Sequence, residues 1–261
     1  MSAQSDLDAR GWCRFDQDAK LRAWVDHAAG VASALAQNEQ NIAAWLRCGG
    51  TWFAGVNILP NDAAGRLRGG PALDGAVIRL IMDRFGPQDW DKAQLSIIYP
   101  GYPQPMEGES AAAFRFRRDR DAAHVDGLLP VGEARRRHLH EPHGFVLGLP
   151  LVLTSKDASP MVVWEGSNQI MRAAFRDALK EVTPQKWGSV DLTEIYQATR
   201  RVCFETCPRV TVHAEPGEAY LIDRLALHGV APWAEGAEAP SEGRMIAYFR
   251  PELSDIADWL A

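Results

Sequence analysis

Cysteine is scarce in this chain. Its 261 residues contain four, at Cys13, Cys48, Cys203 and Cys207. So few thiols make no disulfide framework, and they read as reduced cysteines. Cys203 and Cys207 have the spacing of a metal pair but no second pair to complete a site. Long apolar runs are also missing. No stretch approaches the roughly 18 apolar residues of a membrane helix, so no membrane partner is expected. The opening segment, MSAQSDLDARGWCRFD, has no apolar h-region and is not expected to be a signal peptide. A cytoplasmic location is the expectation. Positive charge is in deficit, with 28 Lys and Arg against 34 Asp and Glu and a net charge of −6. A nucleic-acid partner is therefore not expected. There is no internal repeat and no low-complexity segment. The remainder, 46% hydrophobic and 24% charged, is ordinary for a soluble globule with a sizeable core, read as a single domain over 1–261.

Periodicity predicts a helical front and a β back. Leu21, Trp24, Val25, Ala28, Val31, Ala32 and Leu35 recur at helical spacing and predict a helix over 17–37. A second short helix is expected at 40–48 and a third over 73–85. Gln94 to Tyr99 reads as a strand, stopped by Pro100-Gly101-Tyr102-Pro103. Further strands are placed near 112–118, 144–153, 160–165, 209–214, 218–223 and 244–250. Two helices interrupt them, with Ser167 expected to cap the first and Asp191 the second. This divides the chain into a helical support region of about 1–95 and a β core of about 96–253, with a helical insertion over 167–205.

Three short pieces of sequence converge on one chemistry. His124-Val125-Asp126 is an H-x-D, whose i and i+2 side chains point the same way from a strand. His228 follows a Pro216-Gly217 turn and an apolar run, and Gly229 comes after it. Two imidazoles and a carboxylate form the facial triad that suits non-haem Fe(II) and leaves open positions. Arg244 opens RMIAYF, a β-type run in which Arg244, Ile246 and Tyr248 share a face. Its guanidinium could grip a carboxylate bidentately. An isolated H-x-D is a weak signal. Its strength here comes from these contexts taken together.

The segments AHVDG, VVWEGSN, PGEAYLIDRLALHG and GRMIAYFRP resemble, in order, the phytanoyl-CoA dioxygenase family of Fe(II)- and 2-oxoglutarate-dependent oxygenases. The resemblance spans roughly 113 to 251. It implies a double-stranded β-helix, or jelly-roll, core with helices outside. It implies His124, Asp126 and His228 as iron ligands and catalytic residues, and Arg244 as the partner of the far carboxylate of 2-oxoglutarate. O2 would complete the reaction, with succinate and CO2 released and a small or medium organic substrate hydroxylated. Asp126 stands where related halogenases carry a small residue, which points to hydroxylation or a similar oxidation. Two departures are visible. Asn168 replaces the usual His after Gly166-Ser167, and WAEGAEAPSEG lengthens the gap before Arg244. The longer gap leaves Arg250 as an alternative anchor.

Other residues have weaker roles. His138, His140 and His143 form a dense group that could bind a divalent ion but reads as a solvated loop. Arg115, Arg117, Arg118 and Arg120 precede the H-x-D, and Arg135, Arg136 and Arg137 follow it. They could select an anionic substrate, or form a solvated face with Asp119 and Asp121. Tyr99, Tyr102, Arg118 and Trp164 are candidate substrate contacts. Two competing functions remain in view: a jelly-roll protein that binds metal and carboxylate without catalysis, and a zinc-dependent enzyme on a cupin-like scaffold, which would have no use for Arg244. A monomer or homodimer is expected.

Overall fold

The computed structural model describes residues 2–261. The N-terminal part runs α1 (Ala3–Arg10), β1 (Trp12–Phe15), α2 (Ala19–Ala36), α3 (Glu39–Trp45), β2 (Leu46–Arg47), β3 (Trp52–Gly55) and α4 (Ala76–Phe85). Then come β4 (Gln94–Ile98), α5 (Ala111–Asp119), β5 (Leu128–Val131), β6 (Arg136–Leu139), β7 (Phe145–Pro150) and β8 (Met161–Trp164). The insertion supplies α6 (Ser167–Leu179) and α7 (Thr193–Thr206). The chain closes through β9 (Arg209–Val212), β10 (Ala219–Asp223), β11 (His228–Val230) and β12 (Arg244–Phe249). No helix is long and apolar enough to cross a membrane.

The strand order defines the architecture. One antiparallel sheet runs β1-β10-β7-β12-β4-β3-β2, and a second runs β11-β8-β9. An isolated bridge between His124 and His228 adds a fourth position beside β11. After β4 the chain crosses to the small sheet at His124 and returns for β7. It crosses again for β8 and β9, returns for β10, crosses for β11 and returns for β12. That alternation between two facing sheets is a jelly roll.

Side-chain alternation sorts the core into three layers. Val146, Tyr220, Ile222, Ile246 and Tyr248 of the large sheet meet Met161, Val163 and Val212 of the small one inside the barrel. The other face of the large sheet, with Leu95, Ile97, Leu147, Leu221 and Phe249, packs against α2 and α4 through Trp24, Val25, Ile78 and Ile81. The outer face of the small sheet carries Val162 and Trp164, covered by α6 and α7 through Met171, Phe175, Tyr196 and Cys203. Strands such as β7 and β12 are buried on both faces, so they read as continuous apolar runs.

Several expectations need correction. Residues 112–118 are not a strand but lie in α5. Ser110 accepts from the Ala113 N–H as its N-cap, and three alanines open it. The first 95 residues are not only helical, because β1, β2 and β3 extend the large sheet. Ser167 is the first residue of α6 rather than its cap. Gly166 precedes it in the left-handed conformation, and the Ser167 hydroxyl accepts from the Leu227 N–H. Asp191 is not the cap of α7 either: Leu192 holds that position, and Asp191, one residue earlier, accepts from the Thr193 N–H.

Candidate metal centre

The local backbone fixes the two histidines against each other. The His124 N–H donates to the His228 carbonyl (2.8 Å), and the His228 N–H donates to the His124 carbonyl (3.0 Å). This reciprocal pair holds the imidazole centroids 4.7 Å apart. Gly229 permits the approach, since a Cβ there would lie 2.1 Å from the Asp121 carbonyl oxygen. That oxygen accepts from the Val230 N–H at 2.9 Å. Asp121 and Ala122 both take left-handed backbone conformations (φ 53 and 52°), which turns the chain into the H-x-D. Both residues are off the usual map for side-chain-bearing residues, and the Asp121 carboxylate is held by two Arg209 hydrogen bonds of 2.7 Å.

Each imidazole is oriented by its Nδ1. His124 Nδ1 faces the Ala122 carbonyl at 3.0 Å, and His228 Nδ1 faces the Ala226 carbonyl at 2.9 Å. A carbonyl only accepts, so both Nδ1 atoms carry a proton, and the Nε2 atoms are the ones turned to Asp126. The Nε2 atoms of His124 and His228 lie 3.3 and 3.9 Å from Asp126 Oδ1. Ligand atoms from the three residues all fall within 4.8 Å of one another. Two imidazole nitrogens and a carboxylate oxygen thus converge, a donor set that a divalent cation takes. Among the described residues no other group of three such side chains converges this way.

The electrostatics suit the same role. Burial pushes the His228 imidazole down to about 4, so it is neutral at neutral pH. Burial alone would raise the Asp126 carboxyl, but the facing His124 ring and the Arg250 guanidinium overcome it and hold the group well below the usual carboxylate range. Arg250 Nη1 donates to Asp126 Oδ2 at 3.4 Å. Arg250 therefore supports the carboxylate from behind.

The triad opens on a cavity of about 300 Å³ walled by Trp52, Ile98, Tyr102, Met161 and Tyr248. Arg244 lies deeper in the barrel, in a small adjoining cavity with Tyr220 and His213. It is 4% exposed, makes no ion pair among the described residues, and its Nη1 has no hydrogen-bond partner. The Tyr220 and Tyr248 phenols lie beside it and hydrogen-bond to each other at 2.9 Å. Gly148 makes room for this arrangement, because a Cβ there would sit inside the Tyr220 ring. A buried guanidinium without a counter-ion is costly. Among the described residues this one has only the Tyr220 and Tyr248 phenols beside it.

The candidate substrate contacts separate by parity. Tyr102 lines the cavity, but Tyr99, Arg118 and Trp164 do not. Gln94, Ser96 and Ile98 point inward from β4, so Tyr99 packs outward. Met161 and Val163 point inward from β8, so Trp164 faces out against Phe204 at 5.1 Å. Arg117 turns in from α5 while its neighbour Arg118 is exposed and pairs with Asp119 at 2.6 Å. The other arginines of the basic clusters lie outside the cavity, with Arg136 paired to Asp191 and Glu194. His138 faces the Gly188 carbonyl and His143 faces Glu141, so the dense histidine group does not converge. Asn168 donates to the Asp8 carbonyl at 3.1 Å and ties α6 to α1 away from the cavity.

No protein-family model matches the chain, and no curated protein matches it. Among solved structures it is similar to the non-haem α-ketoglutarate-dependent carbocyclase SnoK from nogalamycin biosynthesis. The identity is 11%, with 97% of this chain and 88% of that one covered, at a TM-score of 0.49. It is also similar to EctD from S. alaskensis with bound Fe, at 14% identity, 96% and 76% coverage, and a TM-score of 0.44. AviO1 from Streptomyces viridochromogenes Tue57 gives 12%, 97% and 95%, and 0.44. The strand order, not these likenesses, carries the fold assignment.

Proposed function

We propose that this chain is an Fe(II)- and 2-oxoglutarate-dependent oxygenase that hydroxylates a small or medium organic molecule. The observation that carries the reading is the pairing of two features in one barrel. One is the convergent His-Asp-His cluster, and the other is a buried arginine with an unpartnered donor. A zinc site alone would need the first and not the second.

His124, Asp126 and His228 would hold the iron. Two neutral imidazoles and one carboxylate suit Fe(II) in a site with open positions. Arg244 would receive the far carboxylate of 2-oxoglutarate, which satisfies its free Nη1. When bound, iron with 2-oxoglutarate and O2 supplies the oxidising power, and succinate and CO2 are the by-products. The protein's own part is positioning. The Ala122 and Ala226 carbonyls fix the imidazole tautomers, and such partners tune a ligand's orientation and basicity. Arg250 occupies Asp126 Oδ2 and leaves Oδ1 toward the imidazoles. The apolar walls keep water from the reacting centre.

Titration of anaerobic Fe(II)-loaded protein with 2-oxoglutarate tests the reading. The expected result is the visible metal-to-ligand charge-transfer band of the chelate, with Arg244→Ala requiring about 100-fold more 2-oxoglutarate and iron binding unchanged. Absence of the band with iron demonstrably bound removes 2-oxoglutarate from the assignment.

A further inference from the structure

We infer that the substrate is an uncharged, largely apolar molecule. The inference rests on the oxygenase reading for what happens to that molecule, but not for what the cavity admits.

The charge arrangement carries it. Four charged side chains line the cavity: Arg117, Arg250, Asp121 and Asp126. Each already has a partner. Arg117 is ion-paired to Glu109, with both side chains 7% exposed, and it also contacts the Cys48 thiol. Arg250 is turned to Asp126. Asp121 is held from behind by Arg209. The basic cluster ahead of the H-x-D therefore leaves no free cation at the cavity wall. Arg244, the cation with a free donor, lies in the adjoining cavity rather than this one. Fe(II) and a dicarboxylate co-substrate would add equal and opposite charge. A charged substrate would shed its hydration here and find no counter-ion.

The wall and its size agree. Trp52, Ala54, Val56, Ile98, Val146 and Met161 give most of the lining. The Trp52 indole N–H donates to the Ser96 hydroxyl at 3.3 Å, so two polar groups of the wall satisfy each other. Gln94 and Tyr102 add neutral hydrogen-bonding groups. The volume of about 300 Å³ lies at the lower end of the range for ligand cavities.

Calorimetric titration of the metal-free protein with benzyl alcohol, benzoate and benzylamine tests this. Ala54→Trp fills the cavity from β3 and identifies which binding occurs there. The expected result is benzyl alcohol bound about tenfold tighter than either ion, and lost in Ala54→Trp. Glu109→Gln frees Arg117 and is expected to raise cavity binding of benzoate by about tenfold. Benzoate or benzylamine bound in the cavity as tightly as the alcohol by the unsubstituted protein would overturn the inference. So would the absence of any binding that Ala54→Trp removes. Because the probes need no iron, a missing 2-oxoglutarate band would sink the oxygenase reading alone, and a charged-probe preference would sink only this one.

Discussion

At the scale of single residues, chemistry was legible and direction was not. His124, Asp126, His228 and Arg244 stand out because few functions need those types at those spacings. Of the candidate substrate contacts, Tyr102 lines the cavity and the other three miss it by one position each. Tyr99 was chosen where Ile98 faces the cavity, Arg118 where Arg117 does, and Trp164 where Val163 and Met161 turn inward. A one-residue shift moves a strand side chain to the opposite face. On strands buried on both sides no polar face marks which way is in. Gly229 illustrates the reverse case, a residue whose role lies in what it lacks. Its Cα hydrogen faces the Asp121 carbonyl, so Gly229→Ala would push apart the backbone that pairs His124 with His228. The expected cost is about 1–3 kcal/mol of stability, as for other overpacking changes, with a loss of at least about tenfold in Fe(II) affinity. Urea unfolding and metal titration of the variant check both. An unchanged affinity would mean that the reciprocal backbone pair does not set the ligand spacing.

At the scale of elements, most helices and strands were legible and one was inverted. In α5, Phe114 and Phe116 alternate with Arg115 and Arg117, a period of two that reads as a strand. Ser110 and the alanines after it decide for a helix, and Phe116 and Arg117 then sit on different sides of it. The β5–β6 hairpin was hidden because β6 carries Arg136, Arg137 and His138 and Pro130 interrupts β5. Neither misreading touched the site, since its geometry depends on how β9, β11 and the 121–124 segment are tied together. Arg209 on β9 does this through Asp121, which is 3% exposed. Arg209→Ala would leave that carboxylate buried without its partner and two left-handed residues without their anchor. Arg209 is itself partly exposed, so water replaces part of the loss. A destabilisation of about 1–3 kcal/mol is expected, together with weaker metal binding. Arg209→Lys should restore only part of it, because the two-pronged contact needs a guanidinium. Equal metal affinity in all three proteins would show that the 121–124 segment holds its shape without the clamp.

At the scale of the whole molecule, the jelly roll came from the order of its motifs, not from composition. The strands β1 and β3, which extend the large sheet, were not anticipated. What does emerge at this scale is a dependence of folding on pH. The site places a neutral histidine in the interior, and burial lowers His228 from an ordinary 6.5 to about 4. Between those values the unfolded chain binds a proton at this position that the folded chain does not. More protons on the unfolded state means that stability rises with pH. The contribution of His228 is therefore complete above about 6.5 and is lost as pH falls toward about 4. One proton corresponds to a slope of at most about 1.4 kcal/mol per pH unit. Asp126, held well below its usual range, adds a loss of the same sign at lower pH. Urea unfolding of the metal-free protein at pH 7, 5.5 and 4.5 should show the decline, and His228→Gln should flatten it. A stability that stays level from pH 7 to 4.5 would mean that His228 takes up its proton inside the fold. The His228 Nε2 lone pair would then not be free for a metal below neutral pH.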